Sequence, residues 1–203
     1  MSRFTGPRLK AMRALGLDLP GLSRKSISAR PHSPGQHGAQ MRRKSDFGLR
    51  LMEKQKLRVN YGLTEKQLRR LVREARGSRG ATGEKLAELL ERRLDNVVFR
   101  AGFAPTIPAA RQLVNHGHFC VNGRRVDIPS YRVNIGDVIA LSERSAKLDC
   151  VKGTLAEPAL IRPEWLHWDE PQRVASISHL PAASDVPFPI ELQLVVEYYA
   201  QRL

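Results

Sequence analysis

The chain has 203 residues, 34 Lys+Arg against 20 Asp+Glu, a formal net charge of +14 and two cysteines, Cys120 and Cys150. No apolar run approaches the roughly 20 residues of a membrane-spanning helix, which excludes an integral helical membrane protein, and two thiols in a chain this long describe a reducing compartment better than a disulfide scaffold. Residues 1–80 hold 20 Lys+Arg and 5 Asp+Glu, a net of +15, while residues 81–203 hold 14 and 15, a net of −1; since solvated surfaces usually mix both signs, the excess points to a polyanionic partner or an anionic membrane surface.

Residues 1–44 carry ten Lys+Arg and one acid, Asp18, show little periodicity and include the turn-rich stretch Pro31-His32-Ser33-Pro34-Gly35-Gln36-His37-Gly38. They read as a basic extended arm that cannot build a core alone and is ordered where it lies along phosphates. The segment Met1 to Leu22 lacks the unbroken apolar stretch of a secretory signal, and Pro7, Gly16, Pro20 and Gly21 interrupt the amphipathic helix of an organelle transit peptide.

A helical domain is expected over residues 45–91. Ser45 caps a first helix through Asp46, Phe47, Leu51 and Leu57 to about Tyr61, where Gly62 suits the left-handed end position. Thr64-Glu65-Lys66-Gln67 forms a capping box for the second helix, with Leu63 stapled onto Leu68. Leu68, Leu71, Val72 and Ala75 make its core face. Arg69, Arg73 and Arg76 stand in line on the other face at i, i+4 and i+7. The plain alternative is an ordinary solvated face, but no acid sits in that line, which makes these three candidate RNA contacts. Gly77-Ser78-Arg79-Gly80 fits the GXXG of a KH domain but lacks the flanking sheet, and reads as an interhelix turn. A third helix turns Leu86, Leu89 and Leu90 inward and Glu84, Glu88 and Glu91 outward, away from a polyanion.

From Arg92 to Leu141 two short helices precede small strands. Leu94, Val97, Val98 and Ala101 form a buried stripe ending at Gly102, with Arg93, Asn96 and Arg100 on the opposite face. Thr106 caps a helix through Ala110, Leu113 and Val114, closed by Gly117. A strand at Phe119–Val121 turns through Asn122-Gly123 into Arg124-Arg125-Val126, and another at Val138–Leu141 follows the Gly136-Asp137 turn. Trp165–Asp169 and Arg173–Ile177 read as strands joined by Glu170-Pro171-Gln172. After Pro189, Leu192, Val195, Val196 and Tyr199 recur at helical spacing over residues 190–202, as core packing. The fold class is α+β.

The runs Arg92-Arg93-Leu94-Asp95-Asn96-Val97-Val98-Phe99-Arg100, Ala110-Arg111-Gln112-Leu113-Val114, His116-Gly117-His118, Val121-Asn122-Gly123, Ile128-Pro129-Ser130-Tyr131 and Gly136-Asp137 together resemble the RNA-binding module named after small-subunit ribosomal protein four. That module also occurs in pseudouridine synthases and some tRNA synthetases, so alone it indicates structured RNA. Resemblance to the ribosomal protein four family covers nearly the whole chain, including Gly6-Pro7, Pro34-Gly35-Gln36-His37-Gly38, Glu53-Lys54-Gln55-Lys56 and Val196-Glu197-Tyr198-Tyr199. Pro105-Thr106-Ile107-Pro108 looks most like the cyanobacterial and plastid versions.

The resemblance implies a structural component of the small ribosomal subunit, not an enzyme. It implies a primary binder of the five-way junction of small-subunit rRNA that nucleates assembly of the subunit body and contributes to accuracy with ribosomal protein five. Other small-subunit proteins are further expected partners, and no membrane is. The expected location is the cytoplasmic ribosome, or the plastid stroma for an organellar chain. The last helix is expected to dock on residues 45–91, making an α+β domain over 92–189, with the RNA module at 92–150, an insertion. Some members hold zinc with four cysteines in the arm. Here no cysteine precedes Cys120, so the zinc-free form and no cofactor are expected.

A-form RNA hides its base edges in a deep groove, so a junction binder reads phosphates and 2′-hydroxyls. Arginine suits phosphates through its planar, bidentate donors. Arg93, Arg100, Arg111 and Arg124 are the expected phosphate contacts, with Asn96, Gln112, His116 and Asn122 as neutral hydrogen-bonding groups. Asp95 is expected to orient a neighbouring arginine. For each arginine the plain alternative is an exposed charge of no consequence. A metal at His116, His118 and Cys120 would need a strand that Gly117 breaks and a fourth ligand that is not evident. As catalytic candidates, Asp169 with Glu170 and Ser178 with His179 are adjacent on strands and so point to opposite faces.

Overall fold

The computed structural model describes residues 4–40, 43–142, 145 and 148–200. Two compact units emerge: one joins the chain up to Ala87 with the segment from Val186 onward, the other runs Glu88–Asp185.

The first unit contains α1 (Arg8–Leu15), α2 (Asp46–Asn60), α3 (Glu65–Gly77), most of α4 (Thr82–Glu91) and α8 (Leu192–Ala200). The Ser45 hydroxyl accepts from the Gly48 N–H at 3.2 Å and starts α2. Thr64 and Gln67 exchange both bonds of the capping box at the start of α3. Leu68, Leu71, Val72 and Ala75 are buried along one side of α3. Leu192 of α8 would lie 3.1 Å from a Cβ on Gly83, so α4 and α8 approach closely at that glycine.

A polar node ties α2, α3 and α8 together. The Tyr199 hydroxyl donates to Glu65 Oε1 at 2.7 Å, and Lys54 Nζ donates to Glu65 Oε2 at 2.9 Å. The Lys54 side chain is only 4% exposed and its ammonium lies 4.9 Å from the centre of the Tyr198 ring. Such a cation needs a carboxylate, because a buried unpaired charge costs several kcal/mol. Burial pushes the Glu65 carboxyl up, but the bonds from Tyr199 and Lys54 and the nearby charges of Lys54 and Arg58 outweigh it and leave the group below its ordinary range.

Residues 1–44 are not extended throughout, which corrects the expected basic extended arm. Residues 8–15 form α1, which ends at left-handed Gly16, and Met12, Leu19 and Leu22 are 0–1% exposed. The Gly21 N–H donates to Asn60 Oδ1 at 2.9 Å, fastening the segment to α2. The three apolar residues are irregularly spaced, so they leave no periodic signal, and they need the rest of the unit to be buried. From Ser28 to Gln40 the chain is turns and bends with mostly exposed side chains, while Arg3 and Arg42 lie outside the described residues.

The second unit holds α5 (Leu94–Arg100), α6 (Ile107–Asn115), α7 (Asp149–Ala156) and the strands β1 (Phe119–Val121), β2 (Arg124–Arg125), β3 (Val138–Leu141), β4 (Leu166–Asp169) and β5 (Val174–Ile177). The strands form one antiparallel sheet in the order β2-β1-β3-β5-β4. Both expected strand groups are present, and the pairing of Ile139 with Ala175 fuses them. Asn122 (φ 51°) and Gly123 (φ 76°) make the tight β1–β2 turn, both in the left-handed region that such hairpins demand. Phe119, Val121, Ile139, Ala175, Leu166 and Ile177 are buried, and Phe103 meets the Phe119 ring edge-on at 5.3 Å.

Replacing Tyr199 with Phe removes a hydrogen bond to a carboxylate and should cost about 1–2 kcal/mol of unfolding free energy. Glu65 contributes stability that is whole above its ordinary value of 4.5 and is lost as pH falls through its lowered folded value. With its Glu65 less lowered, the variant should therefore lose less stability than the parent on acidification, and its loss should be complete at a higher pH. Urea unfolding from pH 7 down to pH 3 measures both effects, and superimposable pH profiles would contradict the node.

Candidate nucleic-acid interface

Two buried acids, Asp95 and Glu91, hold Arg93, Arg111 and Arg100. The Asp95 carboxylate, 1% exposed, accepts Arg93 Nε on Oδ1 at 3.0 Å and Arg93 Nη2 on Oδ2 at 2.8 Å. It also accepts Arg111 Nε and Nη2 on Oδ2, at 3.0 and 2.7 Å, and the Asn96 N–H on Oδ1 at 3.0 Å. Asn96 Nδ2 donates to the carbonyl and carboxylate of Glu91, both at 3.0 Å. Arg100 Nη2 donates to the Asp185 carbonyl at 2.9 Å, and its Nε stands 3.6 Å from Glu91 Oε2. Arg92 donates to Glu88, to the Val133 carbonyl and to Asn134.

This corrects the expectation of an outward row formed by Arg93, Asn96 and Arg100. All seven residues of α5 are buried, so this helix has no solvent-facing side. Arg93 and Arg100 are each 6% exposed and Asn96 is 1% exposed. Their polar atoms fix α5 inside the unit. Asp95 does orient arginines, two of them, and Arg111 is the more accessible, with its side chain 18% exposed.

Four other expected contacts are exposed: Gln112, His116, Asn122 and Arg124. Asn122 nonetheless serves its own turn, since Nδ2 donates to Asp137 Oδ1 at 2.7 Å and Oδ1 accepts the Val138 N–H at 2.9 Å. Arg124 lies on the edge strand β2 beside the equally exposed Arg125, whose Nη2 donates to the His116 carbonyl at 3.3 Å. His118 Nδ1 shares a hydrogen bond of 2.8 Å with Ser145 Oγ. Burial, then the neighbouring His116 and Arg125, hold its imidazole below the ordinary histidine value. The rings of His116 and His118 are 6.0 Å apart, and among the described residues no group of three or more His, Cys, Asp or Glu could hold a metal ion.

In the first unit, Arg69, Arg73 and Arg76 are exposed opposite the buried side of α3. Lys66 and Arg70 join Arg69 and Arg73 around one shallow open depression. The sequence reading missed these two, although Lys66 to Arg70 is another i, i+4 pair on the same helix. Arg125 was also missed, because the feature that places it, Gly117, lies eight residues away in sequence. Among the catalytic candidates, Asp169 Oδ1 accepts the Gln172 N–H at 3.1 Å, closing a turn, while the Ser178 hydroxyl donates to the Trp165 carbonyl at 3.0 Å and lies 3.1 Å from His179 Nδ1; these two follow the end of β5, so their side chains meet and do not point to opposite faces as expected.

Residues 3–91 match the model of the Ribosomal protein S4/S9 N-terminal domain, and residues 92–139 match the S4 domain. The chain is 67% identical over 205 residues to small ribosomal subunit protein uS4 of Methylobacillus flagellatus, with 100% of both chains covered. It is 65% identical to uS4B of Nitrosomonas europaea, again with 100% of both covered. The uS4 of Nostoc punctiforme is 52% identical over 203 residues, with 100% of both covered. Over the full length the Methylobacillus and Nitrosomonas proteins are thus more identical to the chain than the Nostoc protein is. With a relative this similar from end to end and both family models matched in order, the chain belongs to the uS4 family of small ribosomal subunit proteins, which are RNA-binding structural proteins and not enzymes.

Proposed function

We propose that this chain is a structural component of the small ribosomal subunit, placed on the cytoplasmic ribosome, that binds the five-way junction of small-subunit rRNA and nucleates assembly of the subunit body. The observation that carries the RNA contact is the outer side of α3, where Lys66, Arg69, Arg70, Arg73 and Arg76 are exposed on a helix whose other side is fully packed. A rigid helix holds the backbone beneath these cations at fixed spacing, so little backbone freedom is lost when phosphates bind. Gln112, His116, Arg124 and Arg125 supply the module's contribution, with Arg111 held at its margin by Asp95. Arg93, Asn96 and Arg100 act on RNA only through the fold they stabilise. Contact with ribosomal protein five and other small-subunit proteins, and a share in decoding accuracy, complete the reading and rest on the family resemblance.

Titration of a junction fragment from low to moderate salt tests it. Five phosphate contacts from α3 alone give a log–log slope of about −3.5 to −4.5, and removing Arg69, Arg73 and Arg76 together should flatten it by about 2 to 3. A slope near zero, or one that the triple variant leaves unchanged, would sink the proposal.

The two kinds of arginine should also separate by assay. Arg93→Ala leaves a buried carboxylate with one partner fewer and should lower unfolding free energy by roughly 3 kcal/mol. Arg124→Ala should leave the melting transition in place and weaken junction binding by about 1–3 kcal/mol. Paired melting and binding curves decide it, and an Arg93→Ala protein that melts normally but binds poorly would reverse the assignment.

A further inference from the structure

We propose that Gly117 is a positioning residue that seats Arg125 as an RNA-phosphate contact at the end of α6. This rests on the RNA-binding reading above and extends it to a residue pair that neither charge counting nor motif spacing singles out. At φ 72° Gly117 ends the helix in the left-handed region, the ordinary role of such a glycine. Its missing side chain has a second consequence. A Cβ at this position would collide with Nε, Cζ and Nη2 of Arg125, so the guanidinium rests in the space that only glycine leaves.

The seat has further walls. Arg125 Nη2 donates to the His116 carbonyl at 3.3 Å, at the end of α6, where the helix dipole favours a cation. Across the hairpin, Arg125 pairs with Cys120 of β1, which fixes its Cα opposite the strand that follows Gly117 and His118. Arg125 remains exposed beside the exposed Arg124 and His116. The long arginine side chain is thereby held in one place while its guanidinium faces solvent. Pre-ordering of this kind strengthens a phosphate contact by removing rotamer freedom before binding.

The collision is with the far end of a flexible side chain, so alanine at 117 can be accommodated by moving Arg125 aside. The experiment is a double-mutant cycle on the full chain, with junction affinity, salt slope and melting temperature read for Gly117→Ala, Arg125→Ala and the pair. Each single variant should weaken binding about tenfold and flatten the slope by about one contact. In the Arg125→Ala background, Gly117→Ala should change affinity by less than about twofold, while its effect on melting persists, because the left-handed backbone is strained for alanine in either background.

Three results would overturn the proposal: Gly117→Ala binding as tightly as the parent, a tenfold loss that persists undiminished when Arg125 is already alanine, or Arg125→Ala binding normally. The triple α3 variant in the same titration separates levels of failure. If it weakens binding while the Gly117 and Arg125 variants do not, the RNA reading stands and this inference falls. If the parent does not prefer the junction over an unrelated duplex, the reading itself falls.

Discussion

The second unit depends on one buried carboxylate. Asp95 is removed from water, and a lone anion there would be untenable, so two guanidiniums and a backbone N–H converge on it. Each donor comes from a different place: Arg93 precedes α5, Asn96 lies in its first turn, and Arg111 comes from α6. The start of α5 is held at the same time by backbone bonds, with the Leu94 and Asp95 N–H groups donating to the carbonyls of Tyr131 and Pro129 at 2.8 and 3.1 Å. The Asp95 side chain thus ties α5 to α6, and the backbone at the start of α5 ties both to the loop before β3. The β1–β2 hairpin follows directly from α6, so its exposed arginines inherit that placement.

Arginine environment, more than arginine content, therefore distinguishes the candidate contacts from the residues that hold the fold. Arg93, Arg100 and Arg111 are buried or half-buried and bonded to acids or carbonyls inside the unit. The α3 cations lie on a helix whose buried side is apolar, and Arg124 and Arg125 are both exposed on the edge strand β2. A phosphate meeting the second group encounters donors held by rigid backbone. Meeting the first would require breaking buried pairs, and breaking such a pair costs several kcal/mol.

What could be read from the sequence follows from the range of the signal. The capping box at Thr64 to Gln67, the Ser45 and Thr106 caps and the Asn122-Gly123 turn are local chemistry, and each lies where local chemistry puts it. Arg69, Arg73 and Arg76 of α3 were legible for the same reason, because an amphipathic helix reports its own two sides, whereas Lys66 and Arg70 were not picked out. α5 has seven residues buried on every side, and periodicity in so short a helix assigns an outer face that does not exist. α7 and α1 have weak stripes, and α1 joins the core through residues scattered over Met12, Leu19 and Leu22. The union of β3 with β5 is a pairing across more than thirty residues, and the seat of Arg125 is a contact between two loops of sequence; neither leaves a periodic trace.

The first unit poses a different physical problem, since its chain is interrupted. Residues up to Ala87 and residues from Val186 onward must meet before its core is complete, whereas the second unit is one continuous stretch. Until α8 arrives, Lys54 has Glu65 as a partner, but Glu65 lacks the Tyr199 hydroxyl and the apolar sides of α2 and α3 lack Val195 and Tyr199. The exposed apolar surface and incompletely bonded carboxylate make the N-terminal helices alone a poor folding unit. During synthesis the continuous unit can close on itself while the earlier helices wait for the last one. The basic surface of α3 needs no such closure to carry charge, only to become rigid. Final packing of α8 therefore converts a mobile set of cations into a fixed one, and it is the fixed set whose spacing can match a particular RNA shape.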